Sequence, residues 1–174
     1  MKAQFFLLPA AALTIAMPVR AAVYLTVEQA QAELFPGETF TQDFRTLTSA
    51  QADAIESASD VNVRGKEVKA WRTSSGGWFI LDEVVGKHDF IPIAFGIDAK
   101  GTVKGVEVLE YREAYGDQVR DADWRAQFAG KTKASTLQLT KDIENISGAT
   151  LSCRHITDGV KRLLATHALV LAGG

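Results

Sequence analysis

Four runs of β-branched and aromatic residues follow one another between residues 67 and 111, and this pattern constrains the fold more than any other feature. The runs are EVKAWRT (67–73), WFILDEVV (78–85), DFIPIAFGID (89–98) and TVKGVEVLEY (102–111). Short segments rich in Gly, Ser or Asp separate them, which is typical of strands joined by turns. Because strands joined by so few residues pair in opposite directions, the pattern predicts an antiparallel sheet of about four or more strands.

Helical patterns precede the strands. Thr26 stands directly before a run of helix-forming residues, in the position of a helix cap, and Pro36-Gly37 ends this run. A second short helix is expected after Thr48-Ser49, through AQADAIES. The apolar residues on one face of the first predicted helix are Val27, Ala30 and Leu34.

Two helical segments follow the strands, one around Trp124 and Phe128 and a longer one from Ser152 to about Leu171. Helices on both sides of a run of strands favour an α+β fold in which helices cover one face of the sheet. The chain shows no repeat or linker, so we expect one domain over residues 22–174. The residues of the last helix that recur at helical spacing, and that should face the sheet, are Ile156, Val160, Leu163, Leu164 and Val170.

The first 21 residues have the pattern of a secretory signal peptide. Lys2 supplies a positive charge, and the apolar run over residues 5–17 is too short to cross a bilayer as a helix. Small residues predict cleavage after Ala21, with Ala22 as the other choice, and hence a periplasmic or otherwise exported protein. A buried N-terminal helix is the alternative, but two prolines interrupt the run.

The charge balance excludes a protein that follows a nucleic-acid backbone. The net charge of the whole chain is −2, and it becomes −4 when the predicted signal, which contributes Lys2 and Arg20, is removed. Binding to a phosphate backbone requires a basic stripe that displaces counterions. We therefore expect no nucleic-acid partner.

Conventional catalytic and metal-binding patterns are missing from the sequence. His88, His155 and His167 are scattered, without the spacing of a ligand set, so no metal site is predicted. Cys153 stands near the start of the last helix, where a thiol pKa can fall, but an inert buried thiol is the simpler interpretation. Nucleophile-elbow, phosphate-loop and dinucleotide-binding motifs do not occur.

The segment ISGATLS, residues 146–152, stands at the predicted start of the last helix. Small residues let another backbone or a ligand approach closely, and the free N–H groups and dipole of a helix start favour an anion. The segment therefore predicts a phosphate-binding position. The alternative is that Ser147, Thr150 or Ser152 only caps the helix.

This segment and several upstream signatures resemble the FMN-binding domain family. Such proteins include the periplasmic flavinylated subunits of sodium-translocating NADH:quinone oxidoreductases and of Rnf complexes, and small exported stand-alone members. The signatures, in the family's order over about residues 67–167, are GVEVLEYRE (105–113), Gly116-Asp117, Trp124, Phe128, Gly130-Lys131 and SGAT (147–150).

The resemblance implies a covalent cofactor. In this family a flavin transferase uses FAD to attach FMN, through its phosphate, to the last Thr of the SGAT motif, which is Thr150 here. Gly148 and Ala149 would leave room for the transferase, and Tyr115 would stack on the flavin ring, a core or surface tyrosine being the alternative. Lys131 or Lys141 would neutralise the phosphate. The residues predicted to bind the cofactor are Thr150, Ser147, Gly148, Ala149, Leu151, Ser152, Glu110, Glu113, Tyr115 and Lys131.

Two features depart from the family pattern. Glu144 occupies the position, six residues before Thr150, where the family usually has Asp, and Asp142 lies two residues earlier. The loop after Glu113 is shortened to residues 114–117. Both departures bear on whether the chain is flavinylated.

The resemblance implies an exported electron carrier more than a stand-alone enzyme, because the flavin supplies the redox chemistry and the protein holds and orients it. The implied partners are the flavin transferase and a membrane-bound redox protein, haem-bearing or quinone-linked. Two alternatives remain open: a sensory or interaction module of the same fold without flavin, and a small flavin reductase with its own substrate.

Overall fold

A six-stranded antiparallel sheet organises the chain in the computed structural model, which describes residues 22–173. The predicted signal peptide lies outside the described residues. The strands are β1 (Ala22–Val23), β2 (Phe40–Gln42), β3 (Arg45–Thr46), β4 (Glu67–Thr73), β5 (Trp78–Val85), β6 (Phe90–Ile97), β7 (Val103–Val108) and β8 (Glu110–Tyr111). The helices are α1 (Val27–Leu34), α2 (Ser49–Ser59), α3 (Ala122–Ala126) and α4 (Thr150–Thr166), with a 3₁₀ turn over Asp117–Arg120 and a π-helical turn over His167–Leu171.

The predicted meander is confirmed as β4, β5, β6 and β7, paired in that order. The longest pairing joins β5 to β6 over eight residue pairs, from Trp78 opposite Ile97 to Val85 opposite Phe90. The fourth predicted strand is interrupted at Leu109, whose N–H donates to the carbonyl of Pro92 at 2.9 Å. The chain then turns into β8, which pairs with β1 outside the main sheet.

Two strands of the sheet were not predicted. β2 and β3 both pair with β4 along the edge opposite β5. They have three and two residues, so neither is long enough to show an alternating pattern in the sequence.

The predicted cap at Thr26 is confirmed, and the second predicted helix is observed as α2 with a cap at Thr48. Thr26 Oγ1 accepts a hydrogen bond from the Gln29 N–H at 3.2 Å, and Gln29 Oε1 accepts one from the Thr26 N–H at 2.8 Å. Thr48 and Gln51 repeat this arrangement at 3.2 and 2.9 Å. α1 and α2 therefore each begin with a complete capping box.

The sheet is covered on both faces, and the expectation that helices cover only one face is wrong. α2 and α4 pack on the face that carries Ile80, Ile93 and Phe95. α1 packs on the opposite face against Phe79 and Ala94. The central strands are apolar on both sides, so each side needs a cover to remove its side chains from water.

α4 is the helix predicted at the C-terminal end, and the residues that were expected to face the sheet are all buried in the core: Ile156, Val160, Leu163, Leu164 and Val170. The helix begins at Thr150, two residues before the predicted start at Ser152. Ala149 occupies the N-cap position, and no side chain caps this end. The alternative that Ser147, Thr150 or Ser152 is the N-cap is therefore wrong.

Candidate functional site

The chain that leads to α4 is held in place by the short helix α3. Trp124 Nε1 donates a hydrogen bond to the carbonyl of Glu144 at 2.8 Å. The N–H of Glu144 donates to Gln127 Oε1 at 2.7 Å. Trp124 also packs edge to face on Phe128, with ring centroids 5.2 Å apart. Glu144 thus has both backbone groups anchored while its side chain is exposed.

Asp142 organises the loop just before this anchor. Its carboxylate accepts hydrogen bonds from the N–H groups of Leu137 at 3.0 Å and Gln138 at 2.8 Å. Lys131 Nζ lies 3.0 Å from the same carboxylate. Burial raises the pKa of Asp142, but these backbone donors and Lys131 outweigh it, so the pKa lies below its usual value. Lys131, predicted to neutralise a phosphate, is paired with Asp142 in the structure.

A tight turn connects the anchored segment to α4. Gly148 has φ +85°, in the left-handed region that glycine adopts without strain. The N–H of Ala149 donates to the carbonyl of Ile146 at 3.0 Å and closes the turn. Ser147 and Gly148 are exposed, and a methyl group at Gly148 would have no heavy atom within 4 Å. The turn therefore faces open space.

Thr150 is the first residue of α4 and is half-buried. Its Oγ1 lies 3.2 Å from Asn145 Nδ2, which donates a hydrogen bond to it. Within the described part of the chain, the N–H groups of Thr150, Leu151 and Ser152 have no acceptor. A hydroxyl beside three free N–H donors at a helix start is a favourable position for an anion.

Ser152 differs from Thr150 because it faces the interior. It is 5% exposed, and its Oγ lies 2.9 Å from the hydroxyl of Tyr111. That hydroxyl in turn donates to the carbonyl of Tyr115 at 2.7 Å. Burial raises the pKa of Tyr111 above its usual value. This chain of hydrogen bonds joins the first turn of α4 to β8 and to the loop that follows it.

The loop after β8 packs against the start of α4. Gly116 has φ +92°, and a methyl group there would lie 2.7 Å from the Tyr111 hydroxyl and 3.1 Å from the Cβ of Ala149. Tyr115, the residue before, is 83% exposed, so the alternative of a core tyrosine is excluded. Leu151 is also exposed, at 43%. The site thus carries two exposed large apolar side chains.

Glu113 and Glu110, the two carboxylates predicted to bind the cofactor, both form contacts within the protein. Glu113 Oε1 accepts hydrogen bonds from the N–H groups of His88 at 2.6 Å and Asp89 at 3.0 Å. Burial raises the pKa of Glu113, but the backbone donors outweigh it, so the pKa lies below its usual value. Glu110 pairs with Arg112, with Oε1 2.9 Å from Nε.

Three residues near Thr150 were missed by sequence reasoning. Asn145 gave no signal, and Tyr111 stood only within the signature GVEVLEYRE without a role of its own, because their contacts with α4 depend on the turn at Gly148 and on the packing of β8. Arg154 had one: it stands four residues after Thr150, so it shares that face of the helix, and it is exposed.

The residues considered as conventional catalysts have structural environments. Cys153 is fully buried, and burial raises the pKa of its thiol, as expected for an inert cysteine. His155 Nδ1 hydrogen bonds with the carbonyl of Val85. Among residues 22–173, no group of three or more His, Cys, Asp and Glu side chains is placed to bind a metal ion. Within the same range, no helix combines the length and apolarity that a membrane span requires.

Comparison with known proteins agrees with this geometry. Residues 86–165 match the model of the FMN-binding domain family, a stretch that runs from the end of β5 to the last turn of α4 and contains Glu113, Tyr115 and Thr150. No curated protein matches the chain. The α+β architecture predicted for the fold is the one observed. This match, over 80 of the 174 residues, supports a member of the FMN-binding domain family and hence a flavin-binding protein.

Proposed function

We propose that the protein is exported, carries FMN covalently bound through a phosphoester to Thr150, and passes electrons to or from a membrane-bound redox partner. The observation that carries the proposal is the position of Thr150 within the matched family segment, as the first residue of a helix whose first N–H groups are free. A flavin transferase would attach the FMN from FAD, and signal cleavage after Ala21 or Ala22 would accompany export to the periplasm.

The residues around Thr150 fit a phosphate and a tethered flavin. A phosphate on Oγ1 would have three backbone N–H donors and the positive end of the helix dipole within the same turn. Arg154 lies on the same helix face one turn later and supplies a cation, since Lys131 is paired with Asp142. The open space at Gly148 accommodates the approach of a transferase.

Exposed apolar groups beside Thr150 suit a flavin ring. Tyr115 is exposed on the loop that contacts Ala149 through Gly116, and Leu151 is exposed on the first turn of α4. Aromatic faces stack favourably with flat ring systems, and burial of exposed apolar surface stabilises the contact. Tyr115 is therefore the residue that we expect to contact the ring, with Leu151 as a second apolar contact.

An electron carrier agrees with the character of this surface. Bound FMN accepts and donates one or two electrons, while the protein supplies the tether, the orientation and the local charges. A covalent tether also prevents loss of the cofactor after export. The region around Thr150 is an exposed turn, which suits a partner protein that must approach the ring. We expect that partner to be haem-bearing or quinone-linked.

Intact-mass measurement tests the covalent bond and the export signal together. The protein is purified from a host that contains the flavin transferase, and we expect the mass of the chain without its first 21 or 22 residues plus about 438 Da, the mass that FMN adds on phosphoester formation. Thr150→Ala should lose the added mass and Thr150→Ser should retain it. Thr136→Ala, the same change at an exposed threonine outside the SGAT segment, should be labelled like the wild type.

Other outcomes would replace the proposal. An unmodified wild type in that host would favour the sensory or interaction module without flavin. Labelled protein that turns over a soluble donor and acceptor without membranes would favour a flavin reductase. The electron-carrier function predicts that flavin absorbance changes on addition of membrane vesicles with reduced quinone or haem proteins, and that Thr150→Ala shows no change.

A further inference from the structure

We infer that Asn145 is a positioning residue for flavin transfer, which holds the hydroxyl of Thr150 in the orientation that attacks FAD. The inference rests on the proposed covalent attachment at Thr150. It concerns a residue that precedes the SGAT segment and that no sequence pattern singled out. Three independent features of its surroundings carry the argument.

The first feature is the direct contact. Asn145 Nδ2 lies 3.2 Å from Thr150 Oγ1, and it is a side-chain donor to that oxygen across a five-residue separation. The left-handed turn at Gly148 folds the chain back so that the two side chains meet. A hydrogen bond of this kind restricts the Thr150 side chain to one rotamer and reduces the freedom lost when it reacts.

The second feature is the rigidity of the support. The residue before Asn145 has both backbone groups fixed, its N–H by Gln127 and its carbonyl by Trp124. The residue that it contacts lies on α4, whose next turn is buried in the core at Cys153 and Ile156. Asn145 therefore bridges two parts of the structure that are each held by other contacts. Its amide is held rigidly and fixes the position of the Thr150 hydroxyl.

The third feature is an unsatisfied atom. Asn145 Oδ1 is buried and has no hydrogen-bond partner within the described residues. Buried polar atoms in native structures are nearly always paired, and leaving one unpaired costs stability. The oxygen half of the Asn145 amide therefore adds nothing to the stability of the fold. The part that is used, Nδ2, points at the oxygen proposed to react.

The chemistry of the transfer is compatible with a donor at this position. In the proposed step Thr150 Oγ1 forms a bond to the FMN-side phosphorus of FAD, the bond from that phosphorus to the bridging oxygen breaks, and AMP leaves with the bridging oxygen. The hydroxyl proton passes to a base of the transferase, and no electrons are exchanged. Nδ2 occupies one lone pair of Oγ1 and leaves the other lone pair and the proton free for the reaction.

The same donor suits the product. Once esterified, Oγ1 has no proton and only accepts hydrogen bonds, so the N–H of Asn145 remains matched while a carboxylate would not. A carboxylate would also repel the phosphate that approaches. Asn145→Asp keeps the shape of the side chain and removes the donor, which makes it the sharpest variant.

The test measures the rate of flavinylation of purified chains without flavin by the transferase with FAD and Mg²⁺, followed as added mass. For Asn145→Asp we expect kcat to fall by at least about tenfold with KM for the protein little changed. Asn145→Ala should also fall, by less, because it introduces no repulsive charge. Asn62→Asp, the same change at an exposed asparagine far along the chain, should react like the wild type.

The outcomes separate the two proposals. A wild type that takes no label overturns the covalent attachment and this inference with it. A wild type that is labelled, with Asn145→Asp and Asn145→Ala within about twofold of its kcat, overturns only the role of Asn145. A raised KM with an unchanged kcat, together with a lower melting temperature, would show a structural role for Asn145 and would also overturn the inference. The variant Asn145→Ala, which adds no charge, guards against misfolding of Asn145→Asp.

Discussion

α1 and α2 differ from α4 in how the first turn of the helix is capped. α1 and α2 each have a Thr at the N-cap, in extended conformation at ψ 167° and 161°, and a Gln that completes the capping box. α4, the longest of the three, has Ala149 at the N-cap with φ −113° and ψ 15°, and no side chain caps it. The first two helices therefore pair the N–H of the third helical residue with the cap side chain, and α4 does not.

The difference shows what replaces a cap. The start of α4 is held from a distance, by the Tyr111 to Ser152 hydrogen bond and by the anchoring of Glu144 on Trp124. Neither contact uses the N–H groups of the first turn. This arrangement keeps the helix start in place while its donors stay free for an anion, whereas a capping box would have occupied the N–H of the third helical residue.

Among the changes that test this difference between the helix starts, loss of the Tyr111 hydroxyl should have the largest effect on stability. Tyr111→Phe leaves Ser152 Oγ buried without its partner, so we expect the free energy of unfolding to fall by about 1 to 3 kcal/mol. Amide hydrogen exchange should increase in the first hydrogen-bonded turn of α4, from Cys153 onward, and not in α1 and α2. Chemical denaturation measures the first effect, and exchange followed by mass spectrometry the second.

Tyr24→Phe is the matched control for this change. Tyr24 is half-buried and carries Arg120 over its ring at 3.6 Å, and its hydroxyl makes no hydrogen bond within the described residues. We expect it to change stability by less than about 0.5 kcal/mol. Equal losses in the two variants would show that the Tyr111 hydroxyl does not support α4.

Removing the side-chain cap of α2, or adding one to α4, should have the next largest effect on stability. Thr48→Ala removes the side-chain cap of α2 and should cost about 1 kcal/mol. Ala149→Ser places a hydroxyl at the N-cap of α4, but the backbone there lacks the extended conformation of Thr26 and Thr48, so we expect no gain in stability. Melting temperatures of both variants check this. A clear stabilisation by Ala149→Ser would contradict the view that the backbone leaves α4 uncapped.

Acidification should have the smallest effect on stability. It should act on the surroundings of the α4 start and not on the caps of α1 and α2. Asp142 and Glu113 accept backbone hydrogen bonds near the site, and the pKa of each lies below its usual value. A carboxyl whose folded pKa is lower than its unfolded value stabilises the fold above the unfolded pKa and loses this contribution as pH falls through the folded pKa. We therefore expect stability to fall below about pH 4.

The matched variants for acidification are Asp142→Asn and Asp53→Asn. Asp142→Asn should lower stability near neutral pH and make the decline with acid less steep. Asp53 is exposed on α2, so the same change there should leave the pH dependence as in the wild type. The neutral caps of α1 and α2 do not titrate, so the local protection of the amides at their starts, relative to free amides at the same pH, should stay constant over this range. If the stability of Asp142→Asn declined with acid as in the wild type, Asp142 would not contribute to the loss of stability at low pH.

Periodicity was sufficient for most elements. β4 and β5 begin and end at the predicted residues, because their alternating or continuously apolar runs stop at Ser-Ser-Gly-Gly and Gly-Lys turns. β2 and β3 were missed because such short strands depend on the edge of β4 for their conformation. α4 was predicted two residues short, since Thr150 and Leu151 gain helical conformation from the turn at Gly148 and not from propensity.

Local sequence was enough to predict the meander, the cap of α1, the presence of α2, the apolar face of α4 and the SGAT segment that carries the family resemblance. Each of these depends on residues that are close together in the chain, where spacing and local conformational preference act. Packing of distant segments places α1 on the second face of the sheet, Ser152 against Tyr111, Thr150 against Asn145 and Lys131 against Asp142, and no local pattern indicated these contacts. These outcomes depend on which parts of the chain pack together, because hydrogen bonds and ion pairs form between side chains that only packing brings within reach.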